Sequence, residues 1–268
     1  MHVLRACVLL AISAVSSSFT PGGIVAPRAA LTEPPAMAAK VSEGDAETFE
    51  RITLARRATK LFERRAVPDD VLKKVLALVM RAPSGFNMQP YECIVVTSDE
   101  AKLKLSRGML GANRQRVLDA GATIVFASDL NSMQNVKKLK TLLEKEGWPD
   151  NFVSKVPLYL SVFSTGHKRL FRTPLVVAKK IAFAVVQRLG KGMPAVAGAE
   201  AWAFKNTMLA VQELLLAATS HGLASCPMEG FDMRRLRKEL RIPLRYSVPI
   251  VVSIGYPSEA ERNFKTLR

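Results

Sequence analysis

Arg56, Arg57 and Lys60 place three cations within five residues. Downstream, the run Arg81–Glu92, RAPSGFNMQPYE, gathers Ser84, Gly85, Asn87 and Gln89 between Pro83 and Pro90. Arginine presents a forked pair of donors that matches phosphate oxygens, and lysine adds a compact charge, so the cation cluster can hold a phosphate. It can equally be a solvated helix face, as most charge runs are. In the polar run, proline fixes φ and glycine permits close backbone approach, so the chain there is a shaped loop. Its hydroxyl and amide groups can hold a polar ligand, or they can be the turn formers of an ordinary connection.

The elements that must carry these residues follow from hydrophobic spacing. Phe49, Ile52, Leu54 and Ala55 predict a helix over Ala46–Leu61, with the cations in its last turns. Pro68, Asp69 and Asp70 open a second helix whose buried stripe is Leu72, Val75, Leu76 and Val79. It leads into the polar loop, and a strand over Glu92–Thr97 leaves it. Ala101–Leu110 reads as a helix with Leu103, Leu105 and Met109 inward, and Thr123–Ala127 as a strand. Val136–Glu146 is a charged helix. Glu200–His221 is apolar nearly all round, as a buried or subunit-interface helix is, and Gly222 stops it. Lys205, Asn206, Gln212 and His221 on that helix are read as structural. Pro227–Asp232 is a strand end and a turn, Arg234–Arg241 a basic helix and Val248–Ile254 a strand.

Composition bounds the possibilities. The chain has 268 residues, a 49% hydrophobic fraction and a net charge of +16, which makes it globular and strongly basic. Such an excess suits nucleic acid, anionic membrane or anionic ligands. The stacking aromatics and recognition-helix pattern of nucleic-acid binders are missing, so no nucleic-acid partner is expected. Cys7, Cys93 and Cys226 form no disulfide framework, and His2, His167 and His221 have no ligand spacing, so no metal is expected either. The glycine fingerprints of Rossmann dehydrogenases and P-loops, the zincin motif and the nucleophile elbow do not occur.

Residues 1–40 read as a targeting presequence: Arg5, a short apolar core Cys7–Val15, small residues Ser16–Ser18, then Phe19 and an acid-poor Ala/Pro tract. A signal peptide followed by a Phe-led segment resembles the bipartite leader of proteins sent to plastids of secondary origin; secretion and mitochondrial import are the alternatives. The folded unit is 41–268, with a basic helical insertion at about 130–200. Within it, 170–190 has helical apolar spacing among Arg172, Lys179, Lys180 and Arg188. That helix has three readings: a lid, a core-packed helix with a solvated basic face, or a segment lying on an anionic membrane.

Ala82-Pro83-Ser84-Gly85-x-Asn87-x-Gln89-Pro90-Tyr91 resembles the A-P-S-S-x-N-x-Q-P-W signature of the nitroreductase family, the FMN-dependent NAD(P)H oxidoreductases. Three further stretches resemble that family's motifs, in its order. Arg56-Arg57-Ala58-x-Lys60-x-Phe62 stands where it has R-R-S-x-R-x-F. Asn113-x-x-Arg116 precedes Leu118-Asp119-Ala120 and a strand. Pro227-Met228-Glu229-Gly230-Phe231-Asp232 matches P-x-E-G-F-D. Gly85, Ala58 and Tyr91 depart from the usual Ser, Ser and Trp.

The resemblance implies an α+β nitroreductase-like fold, a mostly antiparallel central sheet wrapped by helices in an intertwined homodimer. It implies an FMN site in which Arg56, Arg57, Ala58 and Lys60 hold the phosphate and Asn113 and Arg116 lie at the N1/O2 edge of the ring. The backbone of Pro227, Met228, Glu229 and Gly230 reaches N5 and O4. Ser84 and Asn87 come from the other subunit, Pro83 and Gly85 beside them are also cofactor-binding positions, and Lys265 and Arg268 return to the phosphate. No side chain is implied as a catalytic acid or nucleophile. NAD(P)H, as co-substrate, would pass a hydride to flavin N5, and a nitroaromatic, quinone or enone-type acceptor would then take it in a ping-pong cycle. A basic mouth would favour NADPH. Reductive dehalogenation and flavin fragmentation occur on the same scaffold. A flavin-poor protein using the basic helix 170–190 for a membrane surface or a partner is the reading outside enzymes.

Overall fold

The computed structural model describes residues 42–145, 147–163, 177–178, 181–182, 184–185, 188 and 198–262. The leader 1–40, Lys265, Arg268 and most of 164–197 lie outside them. Four antiparallel strands, β1 (Tyr91–Val96), β2 (Ala122–Asp129), β3 (Ala224–Met228) and β4 (Tyr246–Gly255), form one sheet in the order β1-β2-β4-β3.

Alternating side chains send the sheet's two faces into two cores. Ile124, Phe126, Ile250, Val252 and Ile254 pack against α2 (Asp69–Val79) and α8 (Ala199–Ser220). Ile94, Val96, Val125, Met228 and Val251 pack against α3 (Asp99–Gly108), α4 (Asn113–Asp119) and α9 (Met233–Leu240). The register shifts where Phe126 pairs Ile250 but Ser128 pairs Ser247, which leaves one extra residue in β4 beside Pro249. Proline has no N–H for a ladder, so a bulge is where it fits.

A third, smaller core joins α5 (Val136–Lys145), α6 (Asp150–Val153) and α7 (Val156–Phe163) to Met88 and Trp202. The first part of the insertion therefore packs against the polar loop. Beyond it, residues 177–178, 181–182, 184–185 and 188 are helical, with Val177, Ile181 and Val185 exposed.

The predicted stripe Leu72, Val75, Leu76 and Val79 is buried as expected. Two expectations are corrected. The first helix, α1 (Glu43–Ala55), ends before the cations, because Arg56 turns extended at ψ 126° and the chain pairs onward as a strand. None of its residues is buried within the chain. In α3, Leu103 is exposed, whereas Lys102 is buried. Ser98 caps that helix through the Ala101 N–H, which sets the inward face at Ala101, Leu105 and Gly108 and turns Leu103 away.

The end of the sheet beside the polar loop is fastened by a buried ionic cluster. The Arg245 guanidinium lies 3.5 Å from Asp129 and 3.9 Å from Glu92, and it donates to the Tyr246 hydroxyl, which donates to Glu92. The Asp129 N–H holds the Pro90 carbonyl at 2.8 Å. Burial raises the pKa of both Glu92 and Asp129 from their ordinary values, against the pull of Tyr246, the Asn131 N–H and Arg245. The native state therefore holds these protons more tightly than the unfolded chain does. Their contribution to stability is largest in acid and falls as pH rises through that window. Glu92→Gln should flatten this fall in denaturation curves recorded across the window. Arg245→Met should cost about 1–3 kcal/mol, because it removes the cation that faces Glu92 and Asp129.

Candidate active site

Two groups of functional residues form at different corners of the sheet. The first is built on β3. Thr59 N–H donates to the Ser225 carbonyl at 2.8 Å, and Ala58 bridges Ser225 in parallel, so Arg56–Lys60 runs alongside β3 rather than on a helix. Arg56 and Arg57 are half-buried and Lys60 is exposed. The C-terminal turn closes over this segment. Leu61 N–H donates to Glu261 Oε2 at 3.0 Å, Ser258 N–H to the Leu61 carbonyl and Glu63 N–H to the Tyr256 carbonyl.

The strand end Pro227–Gly230 is met by α4. Asn113 Nδ2 donates to the Gly230 carbonyl at 3.1 Å, and the Arg116 guanidinium donates to Asn113 Oδ1. A Cβ at Gly230 would stand 2.7 Å from Asn113 Nδ2, so a side chain there would displace the Asn113 amide. Lys60 and Arg116 both bear on the buried Cys226: burial pushes its thiol up, and the two cations pull against that. Thus the predicted residues of three separate motifs converge on one edge. Among the described residues, Arg56, Arg57, Lys60 and Arg116 form no ion pair with a carboxylate. Unpaired cations gathered beside a backbone turn make an anion site.

The second group is the loop before β1. Gly85–Asn87 forms a 3₁₀ turn, and Phe86, Asn87 and Gln89 hold φ of 54°, 53° and 43°. Gly85 N–H donates to Asn206 Oδ1 at 2.6 Å, Gln89 N–H to Ser84 Oγ at 2.8 Å, and Met88 is anchored in the third core. Asn206 is structural, as read from sequence, yet its particular task of clamping Gly85 joins positions 121 residues apart and leaves no local signal. Glu261 was likewise invisible in the sequence.

These two groups do not meet within one chain. β1 and β3 are opposite edges of the sheet, three strand spacings or about 14 Å apart. Tyr91 lies level with Ser247 through Ser128, whereas Ser225 pairs with Ile254, a further offset of about 24 Å along the strands. Ser84 and Asn87 are therefore far from Lys60 of the same chain, while Gly230, just beyond the Met228–Val251 pair, is set apart from them by the width of the sheet.

The family model for nitroreductases matches residues 53–256. Over 206 residues the chain is 28% identical to the NADH dehydrogenase of Thermus thermophilus, covering 77% of this chain and 85% of that protein. It is 25% identical to the oxygen-insensitive NAD(P)H nitroreductase of Enterobacter cloacae, over 79% of this chain and 90% of that one. A nitroreductase of Exiguobacterium sibiricum, solved in complex with FMN, superposes with a TM-score of 0.59 at 19% identity, covering 82% of this chain and 92% of that one. The chain belongs to the nitroreductase family. It is an oxidoreductase of that class.

Asn206→Ala should remove the acceptor for the Gly85 N–H and cost about 1–2 kcal/mol locally. Hydrogen exchange at residues 84–89 should speed up while protection of β2 and β4 is kept.

Proposed function

We propose that the protein is an FMN-dependent reductase that takes reducing equivalents from NAD(P)H and delivers them to a small nitroaromatic, quinone or enone-type acceptor. The observation that carries this reading is the convergence of Arg56, Lys60, Asn113, Arg116 and Gly230 on one sheet edge, with their cations unpaired. The residues fit FMN. Arg56, Arg57 and Lys60 suit its phosphate, and the bare Gly230 backbone lets the Asn113 amide sit against the turn, where a Cβ would crowd it. FMN, when bound, supplies two-electron transfer between NAD(P)H and the acceptor.

The chain's own groups then bind, orient and neutralise. Thr59 N–H is spent on Ser225, and neighbouring N–H groups of an extended segment point to opposite sides. The Ala58 N–H is thus directed outward, where it offsets the hydroxyl that a serine would supply. Arg116, braced by Asn113, supplies a fixed cation that stabilises negative charge accumulating on reduction. The N–H groups of Glu229 and Gly230 orient the ring. Lys265 and Arg268 are assigned to the phosphate on their position after the C-terminal turn, which already returns to Leu61.

The working form is a homodimer in this reading. Ser84 and Asn87 sit too far from Lys60 in one chain, and a two-fold partner brings them to it. Apolar residues offered for that contact are Phe49 and Leu54 on α1, 58% and 85% exposed, and Met208 and Leu209 on α8. The order of features in residues 1–40 supports delivery to a plastid of secondary origin. Retention of a fluorescent protein fused to those residues in the secretory pathway would overturn that assignment.

The purified protein should show a flavin absorption band that bleaches anaerobically on addition of NADPH or NADH. A protein that stays colourless after incubation with FMN would sink the reading. Gly230→Ala should weaken FMN binding about tenfold, equivalent to about 1.4 kcal/mol, in a fluorescence titration.

A further inference from the structure

We propose that Arg114 and Arg234 take the 2′-phosphate of NADPH, and that they make the protein selective for NADPH over NADH. The proposal rests on the functional reading above and names the donor that the same site accepts.

The stretch Gly108–Ala112 is stitched to Gly230–Asp232 on one side of the site. Leu110 N–H donates to the Gly230 carbonyl at 3.0 Å, Asp232 N–H to the Gly108 carbonyl at 2.7 Å, and Met109 bridges Phe231. The two stretches form a rim next to Asn113. Leu110 is 49% exposed on it and Phe231 is half-buried, so its apolar part is open to a planar ligand.

Arg114 follows Asn113 and is exposed. Its Nε donates to the Met109 carbonyl at 2.8 Å, which pins the guanidinium to the rim and leaves its other N–H donors available. Arg234, also exposed, lies in the first turn of α9. The nearby Asp232 carboxylate is engaged elsewhere: it accepts from the backbone N–H of Arg234 and Arg235, and it pairs with the Arg235 side chain at 3.7 Å.

Among the described residues neither Arg114 nor Arg234 forms a close ion pair with a carboxylate, although the Asp232 charge also feels Arg234. By contrast, Arg64, Lys104 and Arg107 on the same side of the sheet have Asp119, Glu100 and Glu239. Around the rim Arg114, Arg116, Arg234 and Arg235 face two acids, Glu229 and Asp232, so the balance stays positive.

A nicotinamide stacked on a flavin held at Asn113 and Gly230 can lead the rest of its dinucleotide out across this rim. Leu110 and Phe231 offer an apolar seat for the adenosine. The two guanidinium groups match a phosphate dianion, with charge-assisted donors that a ribose hydroxyl would use poorly. An uncharged 2′-position, as in NADH, leaves both cations unanswered.

The test compares wild type, Arg114→Gln, Arg234→Gln and the double variant. It uses kcat/KM for NADPH and for NADH with one common acceptor, and calorimetric binding of 2′,5′-ADP and 5′-AMP. The wild type should prefer NADPH, each single change should lower the NADPH-to-NADH ratio about tenfold, and Arg114→Lys should recover part of it. 2′,5′-ADP should bind more tightly than 5′-AMP, and the double variant should lose that difference. Equal use of the two nucleotides by the wild type would overturn the proposal, as would variants that leave the ratio unmoved. Should neither nucleotide be oxidised, the functional reading falls, and calorimetry still decides the rim: a 2′,5′-ADP preference that persists in the double variant overturns it.

Discussion

The docking of an extended segment against β3 is the constraint on which the site depends. Once α1 stops at Ala55, the Thr59–Ser225 hydrogen bond and the Ala58 and Phe62 bridges commit the next residues to the sheet edge. The helix would have spread Arg56, Arg57 and Lys60 around a solvated surface. Extended, the segment puts Arg56 and Lys60 on one side, and Lys60 bears on the buried Cys226 together with Arg116. Leu61 and Phe62 then tie to Glu261 and Pro257, so the C-terminal turn is held by the same segment. Placing cations together without carboxylates works against stability through self-repulsion. The chain accepts that at one place, where an anion would relieve it.

The loop before β1 obeys a second constraint of the same kind. Phe86, Asn87 and Gln89 are held in a left-handed conformation that side chains avoid, at a cost of order 1 kcal/mol each. The Gln89 amide is buried and finds no partner among the described residues, which adds a further desolvation cost. A loop this strained persists only if its surroundings over-determine it. They do so through Asn206 on Gly85, Ser84 on the Gln89 N–H, the Pro90 carbonyl on Asp129, and Met88 in the third core. The insertion thus braces the loop from one side while α8 braces it from the other. Backbone strain of this kind concentrates at binding loops more than at ordinary connections.

How much of this could be read from the chain depends on the range of the interaction. The α2 stripe and the Gly222 stop after α8 were legible, because period and cap are local. So were the four short motifs, whose spacing is a property of a few consecutive residues. The end of α1 was not, because helix propensity continues through Arg56–Leu61 and only pairing with Ser225, far along the chain, overrides it. Leu103 failed for a smaller reason: Ser98 sets the phase of α3, and a cap shifted by a residue rotates the apolar face by about 100°. The gap between the two halves of the site was also hidden, since the strand order β1-β2-β4-β3 that creates it is a long-range fact.

That gap bears on the departures from the family pattern. Ala58 and Gly85 both replace a serine, yet they sit in different halves with different means of compensation. At Ala58 the backbone alternation set by Thr59 still points an N–H outward, so the position keeps a donor although it loses a hydroxyl. At Gly85 the N–H is already spent on Asn206, and an added Cβ would come within 3.3 Å of the Trp202 ring. There the glycine suits a tight seat against α8, and a serine would have to push the indole aside. One substitution therefore keeps a donor by backbone geometry. The other gives up a side chain to fix the loop that carries Ser84 and Asn87. Both positions lose a hydroxyl, and the backbone decides the consequence: the N–H stays outward at Ala58 and is bound to Asn206 at Gly85.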